Sequence, residues 1–330
     1  DMRLQKLAGL ERKKIEDELA EVQALIKKLE AILKSKAKMM KIVKEEMQEV
    51  ADKFGDDRRT KIVKGGVKQM NPEDLIPDEE SVLVLTKGGY VKRTNPAEYK
   101  VQKRGGVGVV DLNTKEEDIV TTLLTTSSHS DLLFFTDAGK VYQSKMYEIP
   151  EGRRATKGKS IMNFLPLTSE EHVTSVLAVR KEDWEGDWSL MMVTRNGIAK
   201  KSDAAAFKDV RRSGLIAITL KDGDRLIAAQ FVGKGDQVSL ITQLGQAIRF
   251  EESDVRQMGR TAAGVTAMKI SSKDRIMSAD VLKKDSVDRE ILIVTENGFG
   301  KTTPAKEYKI QKRGGSGIKT VKVTAKTGPV

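Results

Sequence analysis

The sequence predicts a mainly β protein: a propeller-like array of repeated blades preceded by an α-helical segment. Three observations carry that expectation. Five β-rich runs each fold back through a glycine turn: "VLVLTKGGYVKR" at 82–93, "LLFFTDAGKVYQ" at 132–143, "LMMVTRNGIAKK" at 190–201, "VSLITQLGQAIR" at 238–249 and "ILIVTENGFGKT" at 291–302. The runs keep register, because Thr86, Thr136, Thr194, Thr242 and Thr295 are each followed three residues later by Gly89, Gly139, Gly197, Gly245 and Gly298. The stretch before residue 60 obeys a different period, with apolar residues three and four apart. Self-similarity at roughly fifty residues marks a repeat architecture, and a four-stranded unit of that length is a propeller blade.

The helical part comes first. Ile15, Leu19, Val22, Ile26, Leu29 and Leu33 follow the heptad rhythm that keeps one seam facing a partner helix. Met40, Val43, Met47, Val50 and Phe54 repeat it in a second helix, which Gly55, Asp56 and Asp57 stop. The simplest expectation is that the two stripes bury each other; a coiled-coil arm or a dimer contact fits the same seam. The expected division is residues 1–60 helical, 61–80 a linker and 81–330 the β body, with 318–330 reading as the opening strand of an incomplete sixth blade. In each blade the hairpin glycine supplies the positive φ that a tight turn needs.

A second spacing runs through the β body. From each hairpin glycine to the glycine before the next apolar run is 19, 19, 17, 19 and 19 residues, ending at Gly108, Gly158, Gly214, Gly264 and Gly317. The segments "QKRGGVG", "GRRATKGK", "VRRSG", "GRTAAG" and "QKRGGSG" are therefore one corner written five times. Basic residues survive in every copy: Lys103 and Arg104; Arg153, Arg154, Lys157 and Lys159; Arg211 and Arg212; Arg260; Lys312 and Arg313. The expectation is a cationic edge with one cluster per blade.

Formal net charge is +11 and the pI is near 9.5, so a polyanion is the first partner to consider. Duplex DNA bent along such a rim would release counterions at each phosphate contact, and the amides of Gly105, Gly106 and Gly108 are free to meet phosphate oxygens. No aromatic or Asn/Gln ladder accompanies the corners, which argues against base-specific reading. The plain alternative is a set of turns with a solvated charged face. Other function classes recede. There is no cysteine, and His129 and His172 read as ordinary surface or packing residues. No nucleophile–base or carboxylate pair suggests catalysis, so no catalytic residue and no metal ligand is expected. "GRRATKGKS" at 152–160 imitates a phosphate-binding P-loop, but five residues separate its glycines where four are required. No apolar run reaches the length of a membrane span and no signal peptide is evident, so a soluble cytoplasmic fragment of something larger is expected.

The residues also carry a family resemblance. "QKRGGVG" resembles the GyrA box of DNA gyrase A subunits, a run of Gln, two basic residues, two glycines, a basic residue and Gly. The flanking "GYVKRTNPAEYKVQKRGG" at 89–106 resembles the first blade leading into that box, and "MRLQKLAGLERKKIEDELAEVQALIKKLEAIL" and "KFGDDRRTKI" resemble the end of the gate-region coiled coil. The resemblance implies a six-bladed β-pinwheel, a strand-exchanging relative of the propeller, that wraps duplex DNA on its basic rim to support ATP-driven negative supercoiling. It implies ATP on the gyrase B subunit, Mg²⁺ at a cleavage site elsewhere, an A2B2 heterotetramer around an A-subunit homodimer, and a bacterial, nucleoid-associated setting. The box maps onto Gln102, Lys103, Arg104, Gly105, Gly106 and Gly108, and its second copy onto Gln311, Lys312, Arg313, Gly314, Gly315 and Gly317. Val107, and Ser316 in the second copy, depart from the expected basic residue. The family's catalytic tyrosine has no counterpart here, so the chain is expected to be a non-catalytic part of the enzyme. The topoisomerase IV counterpart of this region is the nearest alternative, since its box is usually degraded. A protein-binding scaffold propeller is the remote one, without the Trp-Asp signature of such repeats.

Overall fold

The computed structural model describes residues 4–56, 60, 72–99, 118–284 and 289–330, and the chain divides into two compact units, Asp1–Gln69 and Met70–Val330.

The first unit is helical. Helix α1 spans Leu4–Leu33 and α2 spans Lys36–Phe54. The Ser35 hydroxyl accepts from the Lys38 amide to cap α2, and the Gly55 amide closes it on Ala51 O. The heptad stripes do not bury each other: Leu19 is 56% exposed and Met47 64%. The expectation of mutual burial is thus corrected: the apolar seam is left exposed on both helices.

The second unit is a series of twisted antiparallel sheets. Repeat one contributes β1 (Glu80–Thr86), β2 (Tyr90–Thr94) and β3 (Val120–Ser127). Repeat two has β4 (Asp131–Thr136), β5 (Lys140–Lys145), β6 (Lys159–Ser160) and β7 (Val173–Val179). Repeat three has β8 (Ser189–Thr194), β9 (Ile198–Asp203), β10 (Leu215–Ile216) and β11 (Leu226–Val232). Repeat four has β12 (Gln237–Thr242), β13 (Gln246–Glu251), β14 (Val265–Thr266) and β15 (Ile276–Leu282). Repeat five has β16 (Glu290–Val294), β17 (Gly300–Pro304) and β18 (Ile318–Lys319).

Sheet order shows that repeat and blade are not the same object. The four-stranded sheets run β3-β1-β2-β6, β7-β4-β5-β10, β11-β8-β9-β14 and β15-β12-β13-β18, followed by the β16-β17 hairpin. Each complete blade takes its inner three strands from one repeat and its outermost strand from the next. Residues 318–319 therefore complete the fourth blade, which corrects the reading of 318–330 as the start of a sixth. Beyond them the chain folds back over the fifth hairpin, where the Glu296 amide donates to Pro329 O. Ile119, His172, Arg225 and Arg275 accept the corresponding bond in the other repeats.

Period-two alternation explains the nearly continuous apolar runs. Leu132 and Phe134 of β4 pack toward the first blade with Leu83, Leu85 and Val91; Leu133 and Phe135 pack toward the third with Leu190 and Met192. Met191 and Val193 meet Val238 and Leu240 of the fourth blade, and Ile241 meets Ile293 of the fifth. Every inner sheet is thus a sandwich filling with no wet face. At each turn the hairpin glycine amide bonds the threonine carbonyl at 2.8–3.1 Å, and φ at the glycine is +77° to +81°. This is a type I turn with a glycine bulge, which puts the positive φ one residue past the tip. The threonines are buried; Thr86, Thr194 and Thr242 accept the amide four residues on.

Candidate nucleic-acid interface

Each described corner leads into an exchanged outer strand, and this fixes where it lies. Glu151 bridges Arg93 of β2, Gln257 bridges Lys201 of β9 and Ile310 bridges Arg249 of β13, all in parallel register. For the corner at 210–214 the link is the Val210 amide on the Gln143 side-chain oxygen, 2.9 Å. The four described corners therefore stand at one place, against the second hairpin strand of the preceding blade. Their closing glycines, Gly158, Gly214, Gly264 and Gly317, all have φ between +72° and +91°. A Cβ on Gly317 would stand 2.4 Å from Ala247 O, and one on Gly158 2.6 Å from Val91 O. Glycine is required by conformation and by closeness together.

The corners are also laced to one another. The Thr219 hydroxyl, five residues past Gly214, donates to Thr261 O of the next corner at 2.7 Å. The Lys269 amide, five past Gly264, donates to Gly315 O at 2.9 Å. The last three corners thus adjoin along one edge. "GRRATKGKS" takes its place in that series, with Gly152 N on Arg93 O and the Thr94 hydroxyl on Gly152 O.

The predicted residues fare differently within this frame. Gln102, Lys103, Arg104, Gly105, Gly106 and Gly108 lie outside the described residues. Arg153, Arg211 and Arg212 are exposed and Arg154 is half-buried; among the described residues their guanidinium groups form no hydrogen bond or ion pair. Lys159 is exposed, whereas Lys157 lies 3.8 Å over the Tyr90 ring. Arg260 is half-buried, and its Nε is buried without a partner. In the second box Lys312 is exposed, Gln311 anchors its amide on Arg249 O at 2.7 Å, and both Gly314 and Gly317 are left-handed. Arg313 donates from Nε to Asp254 O at 2.7 Å and from Nη1 to Thr266 O at 3.0 Å, so much of its donor capacity serves the fold. Gly315 forms the bridge to Met268.

Sequence reasoning missed the groups beneath the corners. Lys92 and Lys200, each three residues past a hairpin glycine, are fully buried. The Lys92 ammonium donates to Arg153 O and Arg154 O; that of Lys200 donates to Ala217 O at 2.6 Å and to Arg260 O. Burial, with the Arg260 charge adding, pushes Lys200 down to about 8. The signal was present as the repeated "VKR" and "AKK" after the glycine. Also missed were aspartates that clamp the turns: Asp118, Asp224 and Asp274 accept from the amides of Gly88, Asn196 and Leu244 at 2.8–3.0 Å.

Comparison with known proteins agrees with this geometry. The family profile described as "DNA gyrase C-terminal domain, beta-propeller" matches residues 80–127, 130–180, 189–232, 236–283 and 289–327, which are the five repeats. The DNA gyrase A subunits of Staphylococcus epidermidis and Staphylococcus aureus are 42% identical over 330 residues, all of this chain and 37% of theirs. The chain thus spans little more than a third of those relatives. Among solved structures, a DNA gyrase A C-terminal domain superposes with a TM-score of 0.63 at 30% identity, over 76% of this chain and 81% of that one. A DNA topoisomerase IV C-terminal domain gives 0.63 at 27%, over 77% and 76%. With five matched repeats, strands exchanged between neighbouring blades and a basic corner at each described junction, this chain belongs to the DNA gyrase C-terminal domain family.

Proposed function

We propose that this chain is the DNA-binding and DNA-wrapping region of a gyrase A protein, bending duplex without sequence preference around the corner-bearing edge. The observation that supports it most is the shared place of the corners: cationic groups about fifty residues apart in sequence stand at one architectural position, with exposed guanidinium groups that no carboxylate neutralises among the described residues. Bending a few tens of base pairs smoothly costs roughly 1–6 kcal/mol, which a series of phosphate contacts offsets. The unmet apolar seam of α1 and α2 suits a coiled-coil partner in the assembled enzyme, an A-subunit homodimer joined by two gyrase B subunits in an A2B2 heterotetramer. Mg²⁺ belongs to the cleavage site and ATP to the gyrase B subunits, both in other regions. The setting is the bacterial cytoplasm; among the described residues no helix is long and apolar enough to cross a membrane.

A relaxed plasmid closed by a nicking–closing enzyme in the presence of this chain should show a shifted topoisomer distribution. An unchanged distribution at saturating protein and low salt refutes wrapping. The second reading, a topoisomerase IV C-terminal domain, is favoured only by the equal TM-score of that solved structure. Two near-complete boxes favour gyrase, and a wrap that alters topology strongly separates the two.

A further inference from the structure

In the first four repeats the position three residues past the hairpin glycine lies beneath the corner of the following repeat, and the chain fills it with three residue types: Lys92, Tyr142, Lys200 and Ile248. A Cβ on Gly158 would stand 3.2 Å from Lys92 Cβ, one on Gly214 2.6 Å from the Tyr142 ring and one on Gly315 3.4 Å from Ile248 Cδ1. Tyrosine and isoleucine show that the fold does not require a cation there. A buried ammonium is costly unless paired, and Lys200 has only carbonyl partners among the described residues.

What the lysines replace is visible at the next corner. Above Ile248, the corner arginine itself is the cross-link, with Arg313 donating to Asp254 O and Thr266 O. Above Lys200, the lysine joins the exchanged-strand segment at Ala217 to the corner at Arg260, and the Arg260 side chain forms no hydrogen bond among the described residues. Above Lys92, the Arg153 and Arg154 carbonyls are gathered inward and both guanidinium groups are likewise left unengaged. Carbonyl lone pairs turned inward no longer repel an approaching anion. The Arg154 amide does meet one: the exposed carboxylate of Glu98 accepts from it at 2.6 Å.

We infer that Lys200, and by the same geometry Lys92, are positioning residues for polyanion binding. Each takes over the backbone cross-link from the corner arginine, freeing that guanidinium for a phosphodiester and placing a fixed positive charge beneath it. This rests on the DNA-wrapping reading. The charges around Lys200 are few: Arg260 faces it from the corner, the Ala217 segment offers a carbonyl, and neighbouring Lys201 is paired with Glu252. With burial holding it near 8, Lys200 loses its charge as pH rises through that value.

The test is fluorescence anisotropy with a labelled, mixed-sequence duplex of a few tens of base pairs, on protein whose α-amino group is acetylated. Between about pH 7 and about pH 9.5 the affinity of the unmodified sequence should fall about fivefold with a midpoint near 8. Lys200→Met should begin about fivefold weaker and stay flat over the same range. A folded Lys200→Met with unchanged affinity and profile overturns the inference. If that variant does not fold, the profile of the unmodified sequence decides: a midpoint near 8 sustains the inference and a flat profile overturns it. Failure of the unmodified sequence to bind any duplex at low salt overturns the DNA reading, a different result.

Discussion

The corners at Gly264 and Gly317 make the same left-handed approach to the preceding blade, yet hold themselves together with opposite chemistry. The first, "GRTAAG", has lost most of its box and rests on buried Lys200. The second, "QKRGGSG", keeps its box, rests on Ile248, and spends Arg313 on two backbone carbonyls. A box that looks more complete in sequence thus has its exposed arginine tied to backbone carbonyls, whereas the eroded one keeps a half-buried arginine without a hydrogen bond among the described residues. Letters shared with a motif do not by themselves report which charges face solvent.

The largest effect that could break this comparison is steric. Gly317→Ala forces a Cβ at positive φ to 2.4 Å from Ala247 O, and should lower the urea unfolding free energy by about 2–4 kcal/mol. Gly298→Ala, at φ +79° with nothing within 4 Å, should cost only about 1 kcal/mol. Equal costs would mean that the corner is not clamped against the blade.

Next come the exposed arginines. Arg211→Ala with Arg212→Ala should weaken duplex binding about tenfold and lower the salt slope by about 2, read from titrations at several salt concentrations. Arg313→Ala should lower the slope less while lowering thermal stability, because its donors are already engaged. The reverse pattern would place the DNA over the intact box alone.

Stability against pH sharpens the role of Lys200. Its folded value lies below its unfolded one, so the unfolded chain binds more protons between about 8 and the usual lysine value of 10.5. The penalty of the buried charge is complete below about pH 8 and disappears as pH rises toward 10.5. The stability of the unmodified sequence, measured relative to Lys200→Met, should therefore increase from about pH 7.5 to about pH 9.5 by thermal denaturation. A constant difference would show that the ammonium does not titrate there. The smallest effect is at Glu98, whose carboxylate occupies the Arg154 amide. Glu98→Gln should tighten duplex binding about twofold, checked by anisotropy at low salt; weaker binding would mean that the contact organises the corner instead.

Much of this was legible before any coordinates. The five hairpins follow from the Thr-x-x-Gly register, since positive φ restricts the choice of residue at the turn. The corner series was visible in its spacing of 19 or 17 residues for the same reason. The exchanged strands were not. Lys159–Ser160, Leu215–Ile216, Val265–Thr266 and Ile318–Lys319 are two residues each, too short for any periodicity, and their partners lie in the preceding repeat. Lys92 and Lys200 were passed over because alternation assigns lysine to a wet face, whereas these strands have none.

The sequence by itself determined that fifty-residue units recur, where each must turn, and that positive charge accompanies every corner, because steric limits on φ and formal charge are properties of single residues. Tertiary structure decided which repeat completes which blade, which cations are buried and which arginines remain unengaged. Those outcomes depend on distances between atoms far apart in the chain, and no local pattern encodes them.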